Sequence, residues 1–144
     1  MESNRDGYGL TRHQQHVVAH VAGCELLGFG YLKNEAVFVL DIPFIWAIAT
    51  DGSMDLGSSD DMSSRLELDD NDRTRLTDEA LSLRDGGAVE SNEPIFAELP
   101  SGLRVNSVTC AALTDSGIGT TVICDGGKLA VTSEDNRIHV NIEQ

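Results

Sequence analysis

The feature that most constrains this fold is a long apolar run, AVFVLDIPFIWAIA, at positions 36–49. It is rich in β-branched and aromatic residues, which favours strands, and Pro43 marks a break because proline cannot donate to a β-ladder. A strand with one solvent-exposed face would alternate apolar and polar residues, whereas this run is apolar at odd and even positions alike. We therefore expect it either to lie between layers of structure or to form an edge that packs against another chain.

The same run supplies the candidate interaction residues, Phe44, Trp46 and Asp41. The chain is predicted below to contain two helices, which can cover only one face of the sheet that this run joins. A second chain would then have to cover the other face. This predicts an oligomer whose interface includes Phe44 or Trp46, most visible at high salt, where repulsion between acidic subunits is screened. Asp41 is either a buried carboxylate with a functional role or part of a surface turn, Asp41-Ile42-Pro43, and we favour the turn.

The charge of the chain limits its partners. The net charge is −14, from 24 acidic and 10 basic residues, and lysine occurs only at Lys33 and Lys128. This bias favours adaptation to molar salt, where screening removes the self-repulsion of an acidic surface, with a GC-rich genome as the alternative explanation. In either case the charge opposes binding to a phosphate backbone, so we expect no nucleic-acid partner.

Two helices are predicted. A capping box, Thr11-x-x-Gln14, begins the first, which we place at about 12–27, with Gly28 just past its end. The second is capped at positions 69–71 and ends at Gly86-Gly87. Its buried face follows the i, i+4, i+7 spacing of Leu76, Ala80 and Leu83.

The rest of the chain predicts strands separated by turns, apart from a polar loop at 57–64. The turn signals are Asp51-Gly52, Pro100-Ser101-Gly102, Asp125-Gly126-Gly127 and Glu134-Asp135-Asn136. We expect a single α+β domain over residues 1–144, with a flexible N-terminus at 1–10. In it, two helices pack on a largely antiparallel sheet of about six to seven strands.

Three of the four histidines lie in HQQHVVAH, at positions 13–20. On a helix, His13, His16, His20 and Cys24 would share one face, and all four are residue types that bind metals. We expect instead a polar, solvent-exposed helix face that holds no ion, with the neighbouring valines buried. A metal site and a pH-sensitive contact are the alternatives.

The segment AALTDSGIGTTVI contains Asp115-Ser116-Gly117, which resembles the D-S/T-G loop of retropepsin-type aspartic proteases. In that family the aspartate shares a proton with its partner across a dimer. Only 27 residues follow Gly117, too few for that family's second structural half, and Thr114 replaces its usual apolar residue. We interpret the motif as a β-hairpin turn and expect no catalytic residues.

A second segment, PIFAELPSGLRVNSV at 94–108, resembles the hairpin near the end of the N-terminal domain of type IV secretion traffic ATPases. The resemblance implies a detached regulatory domain. It implies no ATP chemistry, because the chain has no GxxxxGK[ST] motif to hold phosphates.

The remaining expectations concern compartment and function. The chain has three cysteines and no CxxC pair, which predicts buried, reduced thiols at Cys24, Cys110 and Cys124. No apolar leader or membrane-spanning run is present, so we expect a cytoplasmic protein, or a virion-associated one if viral. The leading hypothesis is a non-enzymatic interaction or assembly domain without a cofactor, which binds a protein partner or itself, from a halophilic microbe or its virus. The alternatives are an acidic inhibitor or immunity protein that binds a basic partner, the regulatory domain above, and a small metal-binding protein.

Overall fold

A computed structural model describes residues 10–87, 93–114 and 117–143. Three helices and nine strands lie in these ranges. In chain order they are α1 (Arg12–Val21), β1 (Leu26–Leu32), β2 (Glu35–Leu40), β3 (Ile45–Ile48), β4 (Met54–Gly57), α2 (Ser59–Arg65), α3 (Asp70–Arg84), β5 (Phe96–Glu98), β6 (Val105–Thr114), β7 (Gly117–Cys124), β8 (Gly127–Glu134) and β9 (Arg137–Glu143).

The strands form two antiparallel sheets. The first has the order β4-β3-β2-β1-β5, and the second is a meander in the order β6-β7-β8-β9. The sheets meet at one corner, where an isolated bridge pairs Glu25 with Arg104 and the Leu26 amide donates to the Leu103 carbonyl at 2.9 Å. Tight turns with left-handed residues close two of the hairpins, at Lys33-Asn34 and at Asp135-Asn136.

The five-stranded sheet is the middle layer of the molecule. One face, which includes Phe38 and Trp46, packs on the four-stranded sheet and α1. The other face, which includes Val37 and Val39, packs on α2 and α3. Alternate residues of a strand point to opposite faces, so a strand buried on both sides must be apolar at every position. This layering explains the run at 36–49 within a single chain.

The α+β class is confirmed, but the expected arrangement is only roughly matched. The chain has three helices instead of two, and its strands form two sheets instead of one sheet of six to seven strands. The extra helix is α2, which occupies most of the predicted polar loop at 57–64. Ser58 caps α2 by accepting from the Asp61 amide at 3.1 Å, and Asp60 and Asp61 in its first turn complement the helix dipole.

The hairpin predicted at 94–108 is absent. β5 pairs with β1, and β6 pairs with β7, so the two strands belong to different sheets. Residues 99–104 therefore cross from one sheet to the other. This removes the structural basis of the resemblance to the secretion ATPase hairpin. The turn predicted at Asp115-Ser116 lies outside the described residues.

The predicted second helix matches α3. Its N-cap Asp69 accepts from the Asp72 amide at 2.8 Å, and Leu76, Ala80 and Leu83 are buried. A carboxylate that the sequence did not single out, Glu79, is also buried here. Its Oε1 accepts hydrogen bonds from the backbone amides of Ile95 and Phe96, each at 2.9 Å, and so ties α3 to β5.

The first helix is shorter than expected. The capping box at Thr11 and Gln14 is present, but α1 ends at Val21. Gly23 takes a positive φ of 89°, a conformation that glycine adopts without steric cost, and the chain turns there into β1. None of the helices in the described ranges is long and apolar enough to cross a membrane.

Candidate functional site

Helix α1 lies along β4, the edge strand of the five-stranded sheet. His13 Nε2 donates to the Met54 carbonyl at 3.0 Å, and Gln14 Nε2 donates to the Gly52 carbonyl at 2.5 Å. Val17 and Val21 are buried below the helix. The side chains of α1 thus satisfy carbonyl groups near an edge that would otherwise be open, and they fix the position of the helix.

The three histidines of α1 are exposed, on the side of the helix that faces away from the core. Next to them is a cleft of about 300 Å³. It is lined by side chains from α1, from β4 and from the loop before β3, namely His13, His16, Val17, His20, Phe44, Asp55 and Leu56. This volume is at the lower end of the range for ligand pockets, which is about 300–1,000 Å³.

The cleft brings together two features that the sequence predicted separately, the histidines and Phe44. Phe44 is 39% exposed, and among the described residues it is the only phenylalanine with a largely exposed side chain. Asp55 and Leu56 were not predicted as site residues. Their strand was expected from the turn at Asp51-Gly52, but no local pattern places it against a helix about forty residues earlier.

Asp55 supplies the negative charge of the cleft. Its Oδ2 lies 3.2 Å from Arg65 Nε, and its Oδ1 lies 3.9 Å from His13 Nε2. Arg65 is shared with Glu35, to which it donates from two guanidinium nitrogens, at 2.6 Å and 3.1 Å. These hydrogen bonds raise the pKa of Arg65 above its usual value. One guanidinium thus faces two carboxylates, so this corner of the cleft keeps a net negative charge.

The loop that carries Phe44 is held by α3. Arg84 donates to the Leu40 carbonyl at 3.1 Å and to the Phe44 carbonyl at 2.9 Å. Partial burial lowers the pKa of the Arg84 guanidinium. Asp41, at the start of the loop, is exposed, and its Oδ2 lies 3.8 Å from Arg104 Nη1. Asp41 therefore belongs to a surface turn and does not line the cleft.

Trp46 is not a surface residue. It is 0% exposed and packs against Phe38 between the two sheets, with a ring-centroid distance of 5.4 Å. The expectation of a contact surface at Trp46 is wrong for this fold, because the four-stranded sheet covers the face that we assigned to a second chain. Of the two aromatic candidates, only Phe44 is accessible.

Cys24 does not continue the histidine face, because α1 ends three residues before it. Its thiol is buried, and burial together with the nearby Asp41 carboxylate raises its pKa. All three cysteines are buried thiols, as predicted.

Among residues 10–87, 93–114 and 117–143, no group of three or more histidine, cysteine, aspartate or glutamate side chains is placed to hold a metal ion. No family model matches the chain, and neither does any curated protein or solved structure. The geometry of the cleft and the composition of the chain are therefore the features that bear on function.

Proposed function

We propose that this chain is a non-enzymatic, acidic interaction domain that binds a partner protein through the cleft beside α1. The observation that supports this proposal is the exposure of Phe44 in a cleft whose other walls are the histidine side of α1 and Asp55 of β4. Phenylalanine, like tyrosine and tryptophan, is enriched in protein interfaces relative to the rest of the protein surface.

The chemistry of the cleft defines the segment that it would bind. Val17 and Leu56 form an apolar part of the lining, and Asp55 brings a carboxylate to the same space. The volume of about 300 Å³ accommodates one large apolar side chain and little more. The occupant that we propose is therefore a segment of a partner protein with one apolar anchor next to an arginine or lysine, which would approach Asp55 and the acidic surface around it.

The composition supports a setting of molar salt, in a halophilic microbe or its virus, with the protein in the cytoplasm or associated with the virion. At about 1 M salt the Debye length is only about 3 Å, so charges beyond direct contact contribute little to binding. Apolar contacts are not weakened in this way. Phe44 and the apolar wall of the cleft would then supply most of the affinity, as expected of an assembly domain.

A second candidate function is an acidic inhibitor or immunity protein that covers the active site of a basic partner. The observation that favours it is the density of carboxylates in and next to α2 and α3, where nine acidic residues fall at positions 59–85. Binding of this kind depends on charge complementarity and is lost as salt rises. The two functions therefore predict different salt dependences, because binding through the apolar cleft should persist at high salt and binding by charge complementarity should not.

The test is an affinity measurement with the purified products of the genes next to this one, at 0.2 M and at 2 M KCl. Phe44→Ala removes the exposed aromatic ring, and Leu81→Ala is the matched control, because Leu81 is 51% exposed on α3, away from the cleft. We expect Phe44→Ala to weaken binding at least tenfold at both salt concentrations and Leu81→Ala to leave it unchanged. Equal effects of the two substitutions would exclude the cleft as the binding site.

Self-association is tested separately by sedimentation velocity in 2 M KCl. A dimer that dissociates in Phe44→Ala but not in Leu81→Ala would identify a second copy of the chain as the occupant of the cleft. A dimer insensitive to both substitutions would show that the chain associates through another surface.

A further inference from the structure

His16 and His20 form a close pair one turn apart on the exposed side of α1. Their ring centroids are 5.0 Å apart and their ring planes meet at 77°. Within the described part of the chain, neither ring hydrogen-bonds to another protein group. His13 differs, because its Nε2 is held by the Met54 carbonyl at 3.0 Å. Two exposed imidazoles are thus close together with their nitrogens available to a ligand.

The spacing of this pair matches that of two imidazoles on one metal ion. A metal–nitrogen distance of about 2.1 Å places the ion about 3.2 Å from the centre of each ring. Coordination angles between about 90° and 110° then separate the two ring centres by about 4.5–5.2 Å. The observed 5.0 Å lies inside this interval. The two histidines are four residues apart, and this is also the spacing at which a helix presents two metal ligands on one face.

We propose that His16 and His20 chelate one late first-row divalent metal ion at the rim of the cleft, with water in the remaining coordination positions. No third ligand side chain from the described residues joins them. An open site of two nitrogens and water oxygens suits Cu²⁺ best, with Ni²⁺ and Zn²⁺ weaker, following the general order of affinities for divalent ions. The hard ions Mg²⁺ and Ca²⁺ prefer oxygen ligands and do not compete for this pair.

The metal proposal does not rest on the proposed interaction function, although both histidines also line the cleft. Because the two ligands belong to successive turns of α1, a bound ion links those turns and stabilises the folded state over the unfolded chain. The free energy of unfolding therefore rises with metal concentration, which provides a second measurement besides binding itself.

The experiment is a calorimetric titration of the full chain, made without a histidine tag, with CuCl₂, NiCl₂ and ZnCl₂ in a non-coordinating buffer with 2 M KCl. We expect one ion per chain, with Cu²⁺ bound most tightly. His16→Gln and His20→Gln should each weaken binding at least tenfold and abolish the rise in melting temperature. His139→Gln is the matched control, because His139 is also exposed but lies on β9.

All three substitutions are at exposed positions, so circular dichroism should show unchanged folding. The many carboxylates of the chain can also attract metal ions, but that background would be the same in all three variants. Absence of saturable binding would overturn the proposal. So would binding that survives His16→Gln and His20→Gln, or that falls equally in His139→Gln.

Discussion

Glu79 provides the sharpest test of how the layers of this fold are held together. Its carboxylate is buried and accepts from the backbone amides of Ile95 and Phe96, at distances between 2.9 and 3.1 Å. Glu79→Ala leaves two amides without an acceptor at the edge of the central sheet. Each buried amide left unpaired costs about 1–3 kcal/mol, while the cost of burying the carboxylate is relieved. We expect a net loss of about 3 kcal/mol in the free energy of unfolding.

The assay is urea denaturation in 2 M KCl, followed by the fluorescence of Trp46, the single tryptophan of the chain. Glu79→Gln keeps one acceptor oxygen and should cost about half as much as Glu79→Ala, which preserves the test if the alanine variant does not fold. Asp78→Ala is the control, because Asp78 is exposed on the same helix and should change stability by less than about 0.5 kcal/mol. If Glu79→Ala costs no more than Asp78→Ala, the carboxylate does not hold β5 to α3.

Three further predictions follow from charge and burial. The melting temperature should rise steeply between about 0.1 M and 2 M KCl as the Debye length shrinks from ~10 Å. A melting temperature that stays constant over that range would leave a GC-rich genome as the explanation of the acidic, lysine-poor composition. Trp46 should be inaccessible to acrylamide in the native state, and quenching as strong as in urea would contradict its position between the sheets. Burial raises the pKa of the Cys24 and Cys124 thiols, so each carries less thiolate at pH 8 than an unfolded cysteine, and iodoacetamide should modify them only upon unfolding. Rapid modification of the native protein would show that the thiols are accessible.

The local parts of the fold were predictable because their signals lie within a few residues. The capping box at Thr11 and Gln14 and the period of α3 depend only on neighbouring side chains. Helix α2 was missed because it spans seven residues and buries only Met62 and Ser63, too few for a helical period to appear. Its N-cap, Ser58, lies within a polar stretch whose composition predicts a loop.

The layering could be predicted only in part. The run at 36–49 showed that both faces of its strands are covered, but the covering layer comes from strands more than fifty residues later in the chain. Pro100-Ser101-Gly102 has the sequence of a hairpin turn, yet it joins strands of different sheets, and a local motif does not distinguish these cases. The cleft could not be predicted for the same reason, because Phe44 and the histidines meet only once α1 is placed beside β4.

The most direct test of the central claim is a map of the surface that the partner covers. The partner found in the affinity measurements is titrated into isotope-labelled protein, and the amide resonances that shift or broaden are assigned. We predict that the largest changes fall on α1, on β4 and on the residues around Phe44, and that they disappear in Phe44→Ala but not in Leu81→Ala. Changes confined to α2 and α3 would contradict this account and would favour an acidic inhibitor that binds through its helical layer.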